Sequence, residues 1–421
     1  MNWDLRIRLS LMMFLQYFIW GGWAVTIYPY LTKALGFSDD QAGWVFSVFS
    51  LACIVSPFVG GQIADRYVPT QWFLAACHLL GGAAMFMAAQ QRSFPGVLAF
   101  MVVYSLLYAP TLALTNSLAF HHLNGADREF GSIRVCGTVG WIAAGYVLTV
   151  WRTALPSVAE HGDMLLMSGV GSVALGLFCL ALPHTPPRGE AENPLAFVEA
   201  VGLLKHPSFL IFMLISFVVT TELQFYYMPT ADFLVDLGKT QEIFPRFTVT
   251  QENVAGIMTI AQIAEIVAMA ALLPFLLPRI GIRRALAIGV IAWPLRYIVF
   301  ALGQPLWLVV ASLALHGIGY TFFFVVSQIY VNRVAPVDIR ASAQALLTLV
   351  TLGIGNFLGT MFTKWILGQY AILDAAGKIA GHHWTPIFLI PCALTVICAI
   401  AFLLGFRDKR AEAPVPAEAL A

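Results

Sequence analysis

The chain has 421 residues, 59% of them hydrophobic and only 11% charged, with a mean hydropathy of +0.80; a soluble domain is about a quarter charged, so lipid must be part of this chain's solvent. Its net charge of +1, from 23 Lys and Arg against 22 Asp and Glu, comes with no long basic or acidic run, which excludes a polynucleotide partner.

In chain order, the N-terminus Met1-Asn-Trp-Asp-Leu-Arg-Ile-Arg8 leads into an apolar run too long for the core of a signal peptide, with no small-residue cleavage site after it. It is expected to remain as a first membrane span. About twelve runs of the ~20 apolar residues that a spanning helix needs follow one another, at roughly 9–31, 42–64, 72–90, 96–121, 132–151, 163–182, 208–234, 252–277, 285–303, 305–332, 341–366 and 385–406. The widest polar gap on the presumed inner side contains Thr185-Pro-Pro-Arg-Gly-Glu-Ala-Glu-Asn-Pro194 and falls between the sixth and seventh runs. The expected fold is therefore an all-α membrane protein of two six-helix bundles. They cover 1–183 and 208–406, joined by a linker at 184–207 and followed by a tail at 407–421.

Cytoplasmic loops carry an excess of Lys and Arg, and with both termini inside about 14 of them fall on the cytoplasmic side against about 7 outside. Arg279, Arg283, Arg284, Arg333, Arg340 and Arg407-Asp-Lys-Arg410 then face the cytoplasm. The cysteines Cys53, Cys77, Cys136, Cys179, Cys392 and Cys398 sit in apolar stretches with no CxxC or Cys/His spacing, and read as packing residues. No HExxH, GxSxG or phosphate loop is present, so neither an enzyme nor a cofactor or metal site is expected.

The turn after the second run, Gly61-Gln-Ile-Ala-Asp-Arg-Tyr67, and its counterpart Pro278-Arg-Ile-Gly-Ile-Arg-Arg284 after the eighth each combine glycine with basic residues. The first resembles the signature of the major facilitator superfamily, whose halves are related repeats. It departs from the usual pattern at Val68-Pro69.

A charge near mid-bilayer costs about 2.5–3.5 kcal/mol on insertion scales, so each one is a candidate functional group. Four stand out: Arg134, Glu222, Glu265 and Arg296. Gln262 and Glu265, three apart, share a helix face and can address one solute together. Glu222 and Gln224, two apart, point in different directions, and Gln224 is the expected solute-facing member. Amide, carboxylate and guanidinium together suit a neutral solute rich in hydroxyls or bearing an amide-like ring edge. Tyr17, Trp20, Trp23, Tyr28, Tyr30, Trp141, Tyr226, Tyr227 and Tyr320 are available to stack on such a solute. His78 and His316, each alone among apolar residues, read as structural. Gly21, Gly22, Gly137, Gly140 and Gly145 read as close-packing or kink points.

Seven stretches resemble the bacterial nucleoside:proton symporter family. They are Phe14-Leu-Gln-Tyr-Phe-Ile-Trp-Gly-Gly-Trp23, Ala109-Pro-Thr-Leu-Ala-Leu-Thr-Asn116, Ile133-Arg-Val-Cys-Gly-Thr-Val-Gly140, Glu222-Leu-Gln224, Ala261-Gln-Ile-Ala-Glu265, Trp293-Pro-Leu-Arg296 and Arg340-Ala-Ser-Ala-Gln344. The resemblance implies a nucleoside site between the two halves, with Arg134, Thr138, Gln224, Gln262 and Glu265 in the family's binding positions. Tyr227 stands where family members carry an asparagine, and Thr321 where they carry an aspartate; both join the expected solute site, as does Tyr320. With that aspartate absent, Glu265 is the first expected proton carrier and Glu222 the second.

The implied activity is nucleoside import by proton symport in a bacterial inner membrane, with the halves rocking to expose the site to one side at a time. A monomer is expected, with nucleoside, protons and the lipid bilayer as its partners. A sugar or polyol symporter of the same fold is the rival, since hydroxyl recognition uses the same side chains.

Overall fold

In the computed structural model, residues 3–24, 26–27, 30–56, 67–123, 126–155, 161–187, 196–250, 254–373 and 379–407 are described. Gly61–Arg66 of the first turn motif, Tyr28, most of the polar stretch before Pro194 and the tail beyond Arg407 lie outside them. In hydrocarbon every backbone N–H and C=O must be satisfied within its own segment, and the chain answers with helices almost throughout.

These are α1 Trp3–Ala24, α2 Asp39–Ser56, α3 Thr70–Ala89, α4 Phe94–His122, α5 Ala126–Ala154, α6 Asp163–Cys179 and α7 Pro207–Tyr227. The continuous helical runs α8 Gly256–Leu302, α9 Leu306–Val334, α10 Ser342–Gln369 and α11 Trp384–Gly405 complete the set. A two-stranded antiparallel hairpin precedes α11, with β1 Ala371–Leu373 and β2 Ile379–His382 in the register Ala371 to His382 and Ile372 to Gly381.

Eight helices are long and apolar enough to cross a membrane: α3, α4, α5 over Glu129–Arg152, and α7 to α11. The protein is thus a multi-pass membrane protein, although the twelve expected spans are not delivered as twelve separate long helices. The spans expected at 252–277 and 285–303 are one 47-residue run, because the Pro278–Arg284 turn leaves helical geometry only at Gly281. There φ is 76° and ψ 168°, a backbone state open to glycine. The helices Asp40–Ser56 and Asp163–Cys179 are apolar but shorter. α1 opens on Asp4, Arg6 and Arg8 and buries Gln16 in its middle.

Contacts divide the chain into two compact units. The first comprises Met1–Gly202 with Val334–Gly353, and the second Leu203–Arg333 with Ile354–Ala421. In the first unit α1 packs on α5 and α6, α3 on α4 and α6, and α2 on α4. Close approach of α1 to α5 depends on Gly140, where a Cβ would collide with the Phe14 carbonyl.

A buried polar chain ties the same unit together. The His78 Nε2–H donates to Gln16 Oε1 (3.0 Å), Gln16 Nε2 to Thr111 Oγ1 (2.8 Å) and Ser172 Oγ to the His78 carbonyl (2.9 Å). His78 is accordingly a bonded core residue. In the second unit α7 packs on α10 and α11, and the two limbs of α8 pack on α9 and α11.

Replacing Gly140 with Val should destabilise the first unit by about 1–3 kcal/mol or more, as overpacking does. It would be read as a lower thermal midpoint of the detergent-solubilised protein; an unchanged midpoint would contradict the α1–α5 contact.

Candidate functional site

The first unit holds Arg134 and Thr138 four residues apart on α5, hence on one face, at 2% and 4% exposure. The Arg134 guanidinium carbon lies 3.8 Å from the centre of the Tyr17 ring of α1, a cation–π contact. Gly137 makes that contact possible: a Cβ there would stand 2.6 Å from Tyr17 Cδ2 and 2.7 Å from Arg134 Nη1. Trp141, seven residues after Arg134, meets Trp20 edge to face at 5.5 Å, and Trp20 meets Phe49 at 5.0 Å. An arginine and a threonine are thereby set beside a wall of rings.

The second unit holds the remaining expected residues. On α7, Gln224 and Glu222 diverge as their two-residue spacing requires. Gln224 turns to α10, where its Nε2 donates to Asn356 Oδ1 (2.8 Å) and its Oε1 lies 3.5 Å from Thr360 Oγ1, whose hydrogen goes to the Asn356 carbonyl (2.8 Å). Glu222, fully buried, lies on the α8 side, where Tyr297 Oη donates to its main-chain carbonyl (2.9 Å).

On α8, Glu265 is buried and Gln262 half-buried. Gly317 of α9 lets the two helices touch at the Glu265 backbone, and Thr321 Oγ1 reaches the Glu265 carbonyl at 3.4 Å. Tyr227 and Tyr320 gather at His316: Tyr320 lies parallel to its ring at 6.2 Å, and the half-exposed Tyr227 meets it edge-on at 6.0 Å. Glu265 and Tyr320 are both electrostatic neighbours of Tyr227. Glu265, Thr321, Tyr227 and Tyr320 therefore belong to one neighbourhood, while Gln224 is anchored on α10.

Two residues of this arrangement went unselected from sequence, Asn356 and Thr360 beside Gln224; Tyr17, expected to stack on a solute, seats Arg134, and His316, expected to be a lone structural residue, gathers three tyrosines. The available signal was an amide and a hydroxyl four residues apart, Asn356 and Thr360, inside an apolar run. A cavity of about 480 Å³ opens near the β1–β2 hairpin, lined by Phe233, Gln241, Phe300, His382 and Trp384 among others, and touches none of the expected site residues. Among the described residues no group of three or more His, Cys, Asp or Glu side chains could hold a metal ion.

Known proteins match this chain over nearly its whole length. The family model for nucleoside H+ symporters matches residues 3–411. The transporter YegT of Escherichia coli (strain K12) is 34% identical over 419 residues, 96% of this chain and 94% of that protein. The nucleoside permease NupG of the same strain is 30% identical over 98% of both chains. A crystal structure of nucleoside transporter NupG matches with a TM-score of 0.69, covering 97% of this chain and all of that one. The proton:xylose symporter XylE, a major facilitator protein, matches with a TM-score of 0.71 at 12% identity, which speaks for the fold alone. With the matched family spanning the buried polar residues of both units, the chain is a member of the nucleoside H+ symporter family.

Proposed function

We infer that this protein imports nucleosides across a bacterial inner membrane by proton symport and alternating access. The observation that carries the reading is the set of buried hydrogen-bonding groups inside apolar helices, Arg134 with Thr138 and Glu265 with Gln224, in a chain that aligns end to end with a nucleoside permease. Burying such groups in lipid-facing helices is costly and is tolerated where a polar solute must pass. In this reading Arg134 and Thr138 address hydroxyls of the solute. Gln224, Gln262 and Glu265 address its polar edges, Tyr227 and Tyr320 stack on it, and Thr321 stands beside Glu265. The coupled proton rides on a buried carboxyl, Glu265 or Glu222.

The topology belongs to the same proposal. It has twelve crossings in two six-helix halves, 1–183 and 208–406, with both termini cytoplasmic and the chain acting as a monomer in the bilayer. Support comes from the eight long apolar helices, the two shorter ones, the glycine break that divides α8, and the excess of Lys and Arg on one side.

Proteoliposomes offered a panel of labelled nucleosides, with and without an inward proton gradient, test the function. Accumulation of at least one nucleoside above equilibrium is expected only with the gradient, and excess xylose or maltose should leave it unaffected. Gradient-independent uptake, or competition by the sugar alone, would contradict the reading.

Two substitutions sharpen it. Replacing Tyr17 with Leu removes a buried cation–π contact of about 0.5–2 kcal/mol, so the nucleoside KM should rise about 2- to 30-fold. Replacing Gln224 with Ala leaves Asn356 Oδ1 without its donor and should cost about 1–3 kcal/mol. Stability and uptake of the Asn356 to Ala and double variants would show whether the pair acts as a unit, with coupling expected in both.

A further inference from the structure

The second unit buries a carboxyl and a guanidinium that the rest of the protein leaves largely unanswered. Glu222 of α7 has no accessible surface; neither carboxylate oxygen receives a well-formed hydrogen bond, and the Tyr297 hydroxyl, spent on the Glu222 main-chain carbonyl, is the donor beside them. Arg296 of α8 also has no accessible surface. Its Nη1 donates to His316 Nδ1 at 2.9 Å, whereas its Nε and Nη2 have no acceptor. Because a guanidinium can only donate, His316 Nδ1 must be the acceptor; the imidazole is then neutral, with its hydrogen on Nε2. Rings hold the cation instead of an anion. Tyr226 and Tyr297 stand 4.6 Å from the guanidinium carbon and Trp293 4.9 Å.

Glu222 and Arg296 are electrostatic neighbours, yet no ion pair joins them. Tyr297 bridges them, giving its hydroxyl to the Glu222 carbonyl and its ring face to Arg296. Tyr226, one turn after Glu222 on α7, puts its ring face against Arg296 as well. The other titratable groups facing this pair are His316 of α9, Cys398 of α11 and, beside Tyr226, Glu265 of α8.

A carboxylate buried without donors is costly unless it holds a proton or meets a cation. The arrangement suits the protonated acid, and a cation with two idle N–H groups stands ready for the ionised form.

We propose that Glu222 carries the coupled proton and that Arg296, positioned by His316 and the rings of Tyr226, Trp293 and Tyr297, is the cation that receives its charge when the proton leaves. This rests on the proton-symport reading and assigns the proton to Glu222 within it. The cycle balances simply. A proton from the outer aqueous phase bonds to one carboxylate oxygen and frees Arg296. On the inner side that O–H bond breaks, the proton enters the inner aqueous phase, and the carboxylate pairs with the idle Nε and Nη2 of Arg296. Glu265 is left to the solute. Because Tyr226 and Tyr227 follow Glu222 on α7 and both pack on His316, a change in the Glu222–Arg296 pair is felt where Tyr227 and Tyr320 meet the same ring.

The test compares wild type with Glu222→Gln, Glu265→Gln and Arg296→Gln in proteoliposomes, reading three signals: gradient-driven nucleoside accumulation, nucleoside-induced proton movement with an internal pH dye, and counterflow exchange without a gradient. Glu222→Gln and Arg296→Gln should lose accumulation at least tenfold and lose the proton signal while retaining measurable counterflow. Glu265→Gln should instead raise the KM for counterflow while still moving protons with whatever solute it carries. If Glu222→Gln still moves protons and accumulates nucleoside, or if only Glu265→Gln shows the split, the assignment is overturned while symport itself stands. A wild type without any proton signal overturns the symport reading and this assignment with it. Should Glu222→Gln fail to fold, Arg296→Gln decides together with Glu222→Asp, which keeps a titrating carboxyl. Accumulation by Glu222→Asp with a displaced pH optimum supports the assignment; a pH profile unchanged from wild type contradicts it.

Discussion

Inside a bilayer a polar side chain has no water to turn to, and the cost of leaving it unanswered governs nearly everything here that is not simple packing. Where the chain answers its own polar groups, they brace the structure. The His78–Gln16–Thr111 chain does so in the first unit: it holds α1 against α3 and α4, and with α1 held, Tyr17 sits under Arg134. Gln224, held by Asn356 with Thr360 beside it, is presented in one orientation. Where the chain declines to answer, as at the Glu222 carboxyl and two of the Arg296 nitrogens, the groups are available for a proton and for each other.

Helix irregularities fall beside these groups. A π-helical turn at Ala268–Leu272 follows Glu265 by three residues, another at Tyr320–Val325 contains Thr321, and a third at Leu349–Gly355 ends immediately before Asn356. Each such turn inserts a residue into the helical repeat and re-aims the face beyond it, which is why such bulges gather at functional sites. Glycines do complementary work: Gly137 admits the Tyr17–Arg134 stack, and Gly317 admits α9 to the Glu265 backbone. The side chains that carry chemistry are thus placed by residues that carry none.

Much of this was legible in the sequence, for definite reasons. A charge in an apolar run is conspicuous, so Arg134, Glu222, Glu265 and Arg296 could be picked out singly. Helical geometry alone predicts that Glu222 and Gln224 diverge, and they do. Contacts between distant segments were not legible. Asn356 lies 132 residues from Gln224, and no periodicity within either helix announces their bond. The same holds for Arg296 and His316, so His316 read as an isolated core residue when it is the hub of Tyr226, Tyr227 and Tyr320. Span boundaries blurred where a single glycine, Gly281, replaces a loop, and the β1–β2 hairpin has strands too short to declare themselves.

The central claim is that a neutral nucleoside and a proton move together. Its most direct test is electrical: the protein is reconstituted on a solid-supported membrane at equal pH on both faces and exposed to a step in nucleoside concentration. Since the solute carries no charge, the account predicts a transient current in the direction of nucleoside flow, growing as the medium is acidified towards the coupling range. A nucleoside step that loads the liposomes with labelled solute yet moves no charge at any pH would contradict it.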